Sequence, residues 1–132
     1  MQVQIEQIGP TTGQGTVRTH SVVIDRPVEK GGADRGPMGG ELLLLSLGGC
    51  FLSNLLAAIG TRSAEVSGIR VGVTGTISGA PERFDAMELH VWAKYSDAGL
   101  MRKLVAIAER GCIVTNTLKT ALVLTIALER EE

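Results

Sequence analysis

The sequence predicts an α+β domain, with helices packed on a largely antiparallel sheet. Three observations predict it. Segments that alternate apolar and polar residues come in pairs joined by Gly- and Pro-containing turns. A long apolar run without a single charge, Leu42 to Thr61, separates the pairs and reads as a core helix. A second helix signal, amphipathic and capped at both ends, follows the last pair.

Taken in order, "VQIEQIG" (3–9) alternates as a half-buried strand does, and "GPTTGQG" (9–15) supplies a turn. "TVRTHSVVID" (16–25) is rich in β-branched residues and reads as a strand, so the first two strands form a hairpin with a generous loop and two or three strands precede the long helix. Residues 26–40, with five glycines and two prolines, read as a loop that delivers the chain to Glu41 and the long helix. "VSGIRVGVTGTIS" (66–78) keeps Ile69, Val71, Val73 and Ile77 mostly in step. After the turn "GAPE", "RFDAMELHVWAKYS" alternates through Met87, Leu89, Val91 and Ala93, which predicts an antiparallel pair. In "DAGLMRKLVAIAERG", Asp97 caps a helix, Leu100, Leu104 and Ile107 share a face, and Gly111 ends it. "CIVTNTLKTA" is a short further helix and "LVLTIALERE" (122–131) a closing strand. No repeat or linker divides the chain, so residues 1–132 read as a single domain.

The charge balance narrows the function. Thirteen basic residues face 14 acidic ones, and no basic block gives electrostatic support for nucleic acid or anionic membrane. Aromatic residues make up 3%, too few for base-stacking platforms. "MQVQIEQIGP" lacks the basic start and apolar follow-on of a secretory signal, and two cysteines do not make a disulfide-rich secreted scaffold. The expected compartment is the cytoplasm.

The run from Leu42 to Thr61 is long enough to cross a membrane. Asn54, Ser46 and Ser53 within it, three glycines and strand-rich flanks favour a buried helix, and a membrane-anchored protein is the weaker reading. Gly48 and Gly49 each cost about 1 kcal/mol in mid-helix relative to alanine. Close approach of another backbone would offset that, which points to a dimer whose partner elements cover the helix.

Cys50 lies on this helix and Cys112 opens the short one. There is no CxxC motif, and His20 and His90 add no zinc-type spacing. Free cysteines commonly serve as small buried hydrophobes, and both fit that role. Two features suggest more. "CFLSN" and "CIVTN" each place an asparagine four residues after the cysteine, on one helical face. Cys112 also sits at a helix start, where free amides and the dipole favour a thiolate. A thiolate attacks peroxide oxygen, and the resulting sulfenic acid condenses with a nearby thiol.

"GPMGGELLLLSLGGCFLSNL" and "CIVTNTL" together resemble the paired signatures of the OsmC/Ohr family, in a less characterised OsmC-like branch. The resemblance covers essentially the whole chain. It implies an intertwined homodimer, with mostly antiparallel sheets wrapped around long central helices and sites at the subunit interface. It implies thiol-dependent reduction of organic hydroperoxides, with Cys50 as nucleophile and Cys112 as the resolving thiol of a disulfide. A dithiol or small thiol would restore both, and neither metal nor organic cofactor is implied. Glu41 matches the glutamate that orients an activating arginine in the family. It stands nine residues before Cys50, one fewer than in the hydroperoxide branch, and so half a turn out of phase on a continuous helix. Its other reading is a helix-start charge. The family's arginine has no match in "GPTTGQG", which leaves Arg18 and Arg35 as alternatives. Ile113 stands where many relatives have proline. The rival to the peroxidase reading is a non-catalytic module that binds a small apolar ligand at the dimer interface, with both thiols as packing.

Overall fold

A computed structural model describes residues 1–120, so the strand expected over 122–131 lies outside the described residues. The chain divides into two compact units, Met1–Ser46 and Leu47–Glu132.

In the N-terminal unit, β1 (Gln4–Gln7), β2 (Gly13–Val17) and β3 (His20–Ile24) form an antiparallel meander in the order β1-β2-β3. Here the structure departs from the sequence expectation. Residues 16–25 are two strands, not one, because the chain reverses at Arg18, whose φ of 53° is left-handed, and Val17 pairs with His20. The Gly13-Gln14-Gly15 stretch, expected as turn, is strand. Gly13 passes under Ile5, where a Cβ would come within 3.1 Å of the isoleucine methyl, so pairing overrides the glycines' preference for turns.

Residues 26–38 hold one 3₁₀ turn, Val28–Lys30, and are otherwise irregular. Asp25 organises them. Its buried carboxylate accepts from the Thr11 and Thr12 hydroxyls at 2.9 and 3.0 Å and from the Arg26 and Arg35 amides at 2.7 and 3.3 Å. Burial pushes this carboxyl up, but those four donors outweigh it and bring it down to about 2. The loop also runs too close to the backbone for side chains at two points. A Cβ on Gly32 would lie 2.0 Å from the Arg26 carbonyl oxygen, and one on Gly36 2.1 Å from that of Val23.

Helix α1 (Gly39–Arg62) begins in this unit, and its residues from Leu47 onward belong to the second. That unit adds the antiparallel hairpin β4 (Ser67–Ser78) and β5 (Arg83–Lys94), then α2 (Ala98–Gly111) and α3 (Ile113–Lys119). Val71 pairs with Val91 and Val73 with Leu89, which puts the alternating apolar residues on one face. Ile69, Val71, Leu89, Val91 and Ala93 from that face pack against a core of Phe51, Leu55 and Ala58 from α1 and Met101, Leu104 and Ala108 from α2. On the other face, the Arg70 guanidinium lies 4.1 Å from the Trp92 ring centroid, and His90 stacks on the same ring at 5.9 Å.

Among the described residues, α1 is the one helix long and apolar enough to cross a membrane. Its Leu47, Gly48, Phe51, Leu55 and Ala58 are buried in the protein. Gly48 does permit a close approach, though of a side chain in the same chain rather than another backbone. A Cβ there would sit 2.9 Å from a methyl of Val73. Among the described residues, a Cβ on Gly49 or Gly60 would meet nothing within 4 Å beyond their own helix.

Candidate active site

Cys112 stands at the joint between two helices, closing α2 and capping α3. Its backbone is extended (φ −81°, ψ 109°), so it is an N-cap and its side chain faces the first turn of α3. The sulfur accepts the Thr115 N–H at 3.4 Å, as a serine or aspartate cap would. The residue has no solvent exposure and belongs to the core cluster.

Cys50, next to the buried Phe51 on α1, is half-buried and packs against the same cluster that contains Cys112. Both cysteines are free. Burial pushes the Cys112 thiol up. The Thr115 hydroxyl and N–H, the Cys50 thiol and the Val114 N–H act against it and together hold Cys112 below the ordinary thiol value.

The two asparagines that follow the cysteines have different roles. Asn54 donates from Nδ2 to the Cys50 carbonyl at 2.9 Å and faces the Cys50 sulfur at 3.8 Å. Its Oδ1 lies against Gly111, where a Cβ would be 3.0 Å away, so a side chain there would press on Asn54. Asn116 does not reach the Cys112 thiol. It donates from Nδ2 to the Arg110 carbonyl at 3.0 Å, because Cys112 precedes the regular helix and the same-face spacing does not apply. Thr115, which the sequence reading overlooks, is the residue at the sulfur. Its signal is present in "CIVT", since an N-cap side chain bonds the amide three residues on.

Glu41 lies in the first turn of α1 and accepts the Met38 N–H at 2.9 Å, an N-terminal capping contact. It belongs to the N-terminal unit, as do Arg18 in the β2–β3 turn and Arg35, whose amide serves Asp25. Among the described residues, no group of three or more His, Cys, Asp or Glu is placed to hold a metal ion.

Beside the thiols, a cavity of about 570 Å³ opens between α1, β5, α2 and α3. Leu47, Phe51, Leu89, Val105 and Leu118 give it apolar walls, and an ion pair between Glu109 and Lys119 stands at its margin. Thr115 also lines it, so one residue touches both the cavity and the Cys112 sulfur.

Comparison with known proteins follows the same lines. Residues 31–127 match the family described as OsmC-like protein. A search of curated sequences returns no match. Among solved structures, the chain is similar to an OsmC-like protein from Mycoplasma pneumoniae at 16% identity, with a TM-score of 0.76 over 89% of this chain and 86% of the other. It is similar to an organic hydroperoxide resistance protein from Elizabethkingia anophelis at 18% identity, with a TM-score of 0.69 over 89% and 86%. A third, an organic hydroperoxide resistance protein from Legionella pneumophila, is 16% identical, with a TM-score of 0.63 over 89% and 87%. At these identities the likeness is one of fold.

Proposed function

The chain belongs to the OsmC-like protein family, and from that premise we propose that it is a thiol-dependent peroxidase that reduces organic hydroperoxides. The observation that carries this reading is that two free cysteines share one core cluster, Cys50 half-buried and Cys112 fully enclosed. Cys50, as thiolate, attacks the terminal oxygen of ROOH. The O–O bond breaks, the alkoxide takes a proton and leaves as ROH, and Cys50 becomes a sulfenic acid. The Cys112 thiolate then attacks the Cys50 sulfur, hydroxide leaves and is protonated to water, and a disulfide forms. Two electrons from a dithiol or small thiol restore both residues. Glu41 is proposed as an organiser of the site on the family resemblance, and its Met38 contact gives it a capping role as well. A free dithiol pair suits a reducing compartment such as the cytoplasm.

We read the chain as one functional domain, since the family match runs from residue 31 to 127 across both units. We also read it as a homodimer. Leu45 and Leu56 on α1 are 62% and 51% exposed, and Gly49 and Gly60 lie open on the same helix, an apolar surface suited to a second copy.

Cumene hydroperoxide with dithiothreitol is consumed by the wild type and spared by Cys50→Ser. After one equivalent of peroxide, intact mass falls by about two hydrogens as the disulfide forms. The apolar cavity favours a second reading, a binding module for a small apolar ligand with the thiols as packing. Equal consumption by wild type and Cys50→Ser would leave that reading in place of the peroxidase.

A further inference from the structure

We propose that Thr115 is the positioning residue of the recycling half-reaction. It holds the Cys112 sulfur as the leaving group, so that an incoming thiol attacks the disulfide at Cys50. The proposal rests on the dithiol cycle above and assigns its reductive step a direction that the cycle alone leaves open.

Two observations carry it. The first is access. Cys112 has no exposed surface, whereas the Cys50 residue is only half-buried, so Cys50 is the more accessible of the two to a reductant in solvent. The second is the set of donors at the enclosed sulfur. The Thr115 N–H points at Cys112 from 3.4 Å, and the Thr115 hydroxyl and Val114 N–H add to what holds this thiol below its ordinary value. When the S–S bond breaks, the electron pair goes to the sulfur best able to hold charge, and thiol–disulfide exchange is faster as its leaving thiol becomes more acidic. Access and departure therefore favour the same order.

The chemistry balances with a dithiol as the only co-reactant. One reductant thiolate attacks Cys50 Sγ, and the Cys50–Cys112 bond breaks with its electron pair on Cys112. The reductant and Cys50 then share a mixed disulfide. The second reductant thiol attacks its own partner sulfur in that bond and releases Cys50. The reductant leaves as a cyclic disulfide, oxidised by two electrons. Cys50 takes one of its two thiol protons, and the other passes to solvent or to Cys112. A serine at position 115 keeps both donors, and a valine keeps only the N–H.

Diamide supplies the disulfide without any peroxide, so the test is independent of the peroxidase reading. Diamide-oxidised protein is exposed briefly to 2-mercaptoethanol, quenched in acid and digested with trypsin, which separates the two cysteines onto different peptides. The adduct is expected on the Cys50 peptide. An adduct on the Cys112 peptide, or no disulfide after diamide, would overturn the proposal. Thr115→Val is expected to slow reduction by dithiothreitol about threefold, and Thr115→Ser to restore it. A structural role alone would not move the ionisation of the sulfur. In a Cys50→Ser background, where Cys112 is the one remaining thiol, thiolate absorbance at 240 nm should therefore titrate at higher pH with Thr115→Val and return with Thr115→Ser. An unchanged titration with Thr115→Val would refute the assignment. A protein inert to hydroperoxide that still forms its adduct at Cys50 would end the peroxidase reading and leave this one standing.

Discussion

Single side chains in this protein act through their donors. Asp25 gathers four of them, and its folded value of about 2 lies below the ordinary 3.8. The contribution to stability is therefore complete above about pH 4 and disappears as pH falls toward 2. Asp25→Asn is expected to be less stable than wild type at neutral pH, with the gap in urea midpoint closing across that window. At Cys112 the same physics works on sulfur, with Thr115 and Val114 as donors. The cysteines themselves are legible in the sequence, but this partner is harder to see. The four-residue spacing from Cys112 directs attention to Asn116. The sequence does place Cys112 at a helix start, and its extended backbone makes it the N-cap, which meets Thr115 instead.

Secondary-structure elements follow the pattern of their residues where that pattern is strict. Residues 66–111 alternate cleanly, turn at a Gly-Ala-Pro sequence and show both helix ends, with Asp97 accepting the Leu100 N–H at 3.0 Å. Their structure matches the sequence expectation almost residue for residue. The first sheet is less legible because its deciding features are not compositional. Nothing in "TVRTHSVVID" marks Arg18 for a left-handed turn, and glycines that suggest a turn are strand because Ile5 covers them. Gly48 shows how tightly α1 and β4 meet. Gly48→Ala would drive a methyl into Val73, a stiff β-branched neighbour, and is expected to cost about 1–3 kcal/mol. A fall in thermal midpoint, measured against the wild type, checks it.

At the scale of the molecule, α1 carries no charge from Leu42 to Thr61, yet much of it, Leu45 and Leu56 included, is exposed. A partner copy would cover that part, and Leu56→Glu tests this by placing a charge in the proposed contact. It is expected to convert a dimer to monomer in light scattering while leaving the secondary structure intact. The presence of this helix is plain from the sequence. What covers it is not, because apolar residues on every face look the same whether a sheet or a second chain meets them. The outer face of the β4–β5 hairpin has a practical consequence. Trp92 is the chain's one tryptophan, and Arg70 and His90 lie against its indole. The N-terminal unit contains neither tryptophan nor tyrosine. Fluorescence thus watches one unit alone, while circular dichroism watches both. If emission and ellipticity melt at different temperatures, the two units unfold as separate cooperative blocks; coincident curves mean that they unfold as one.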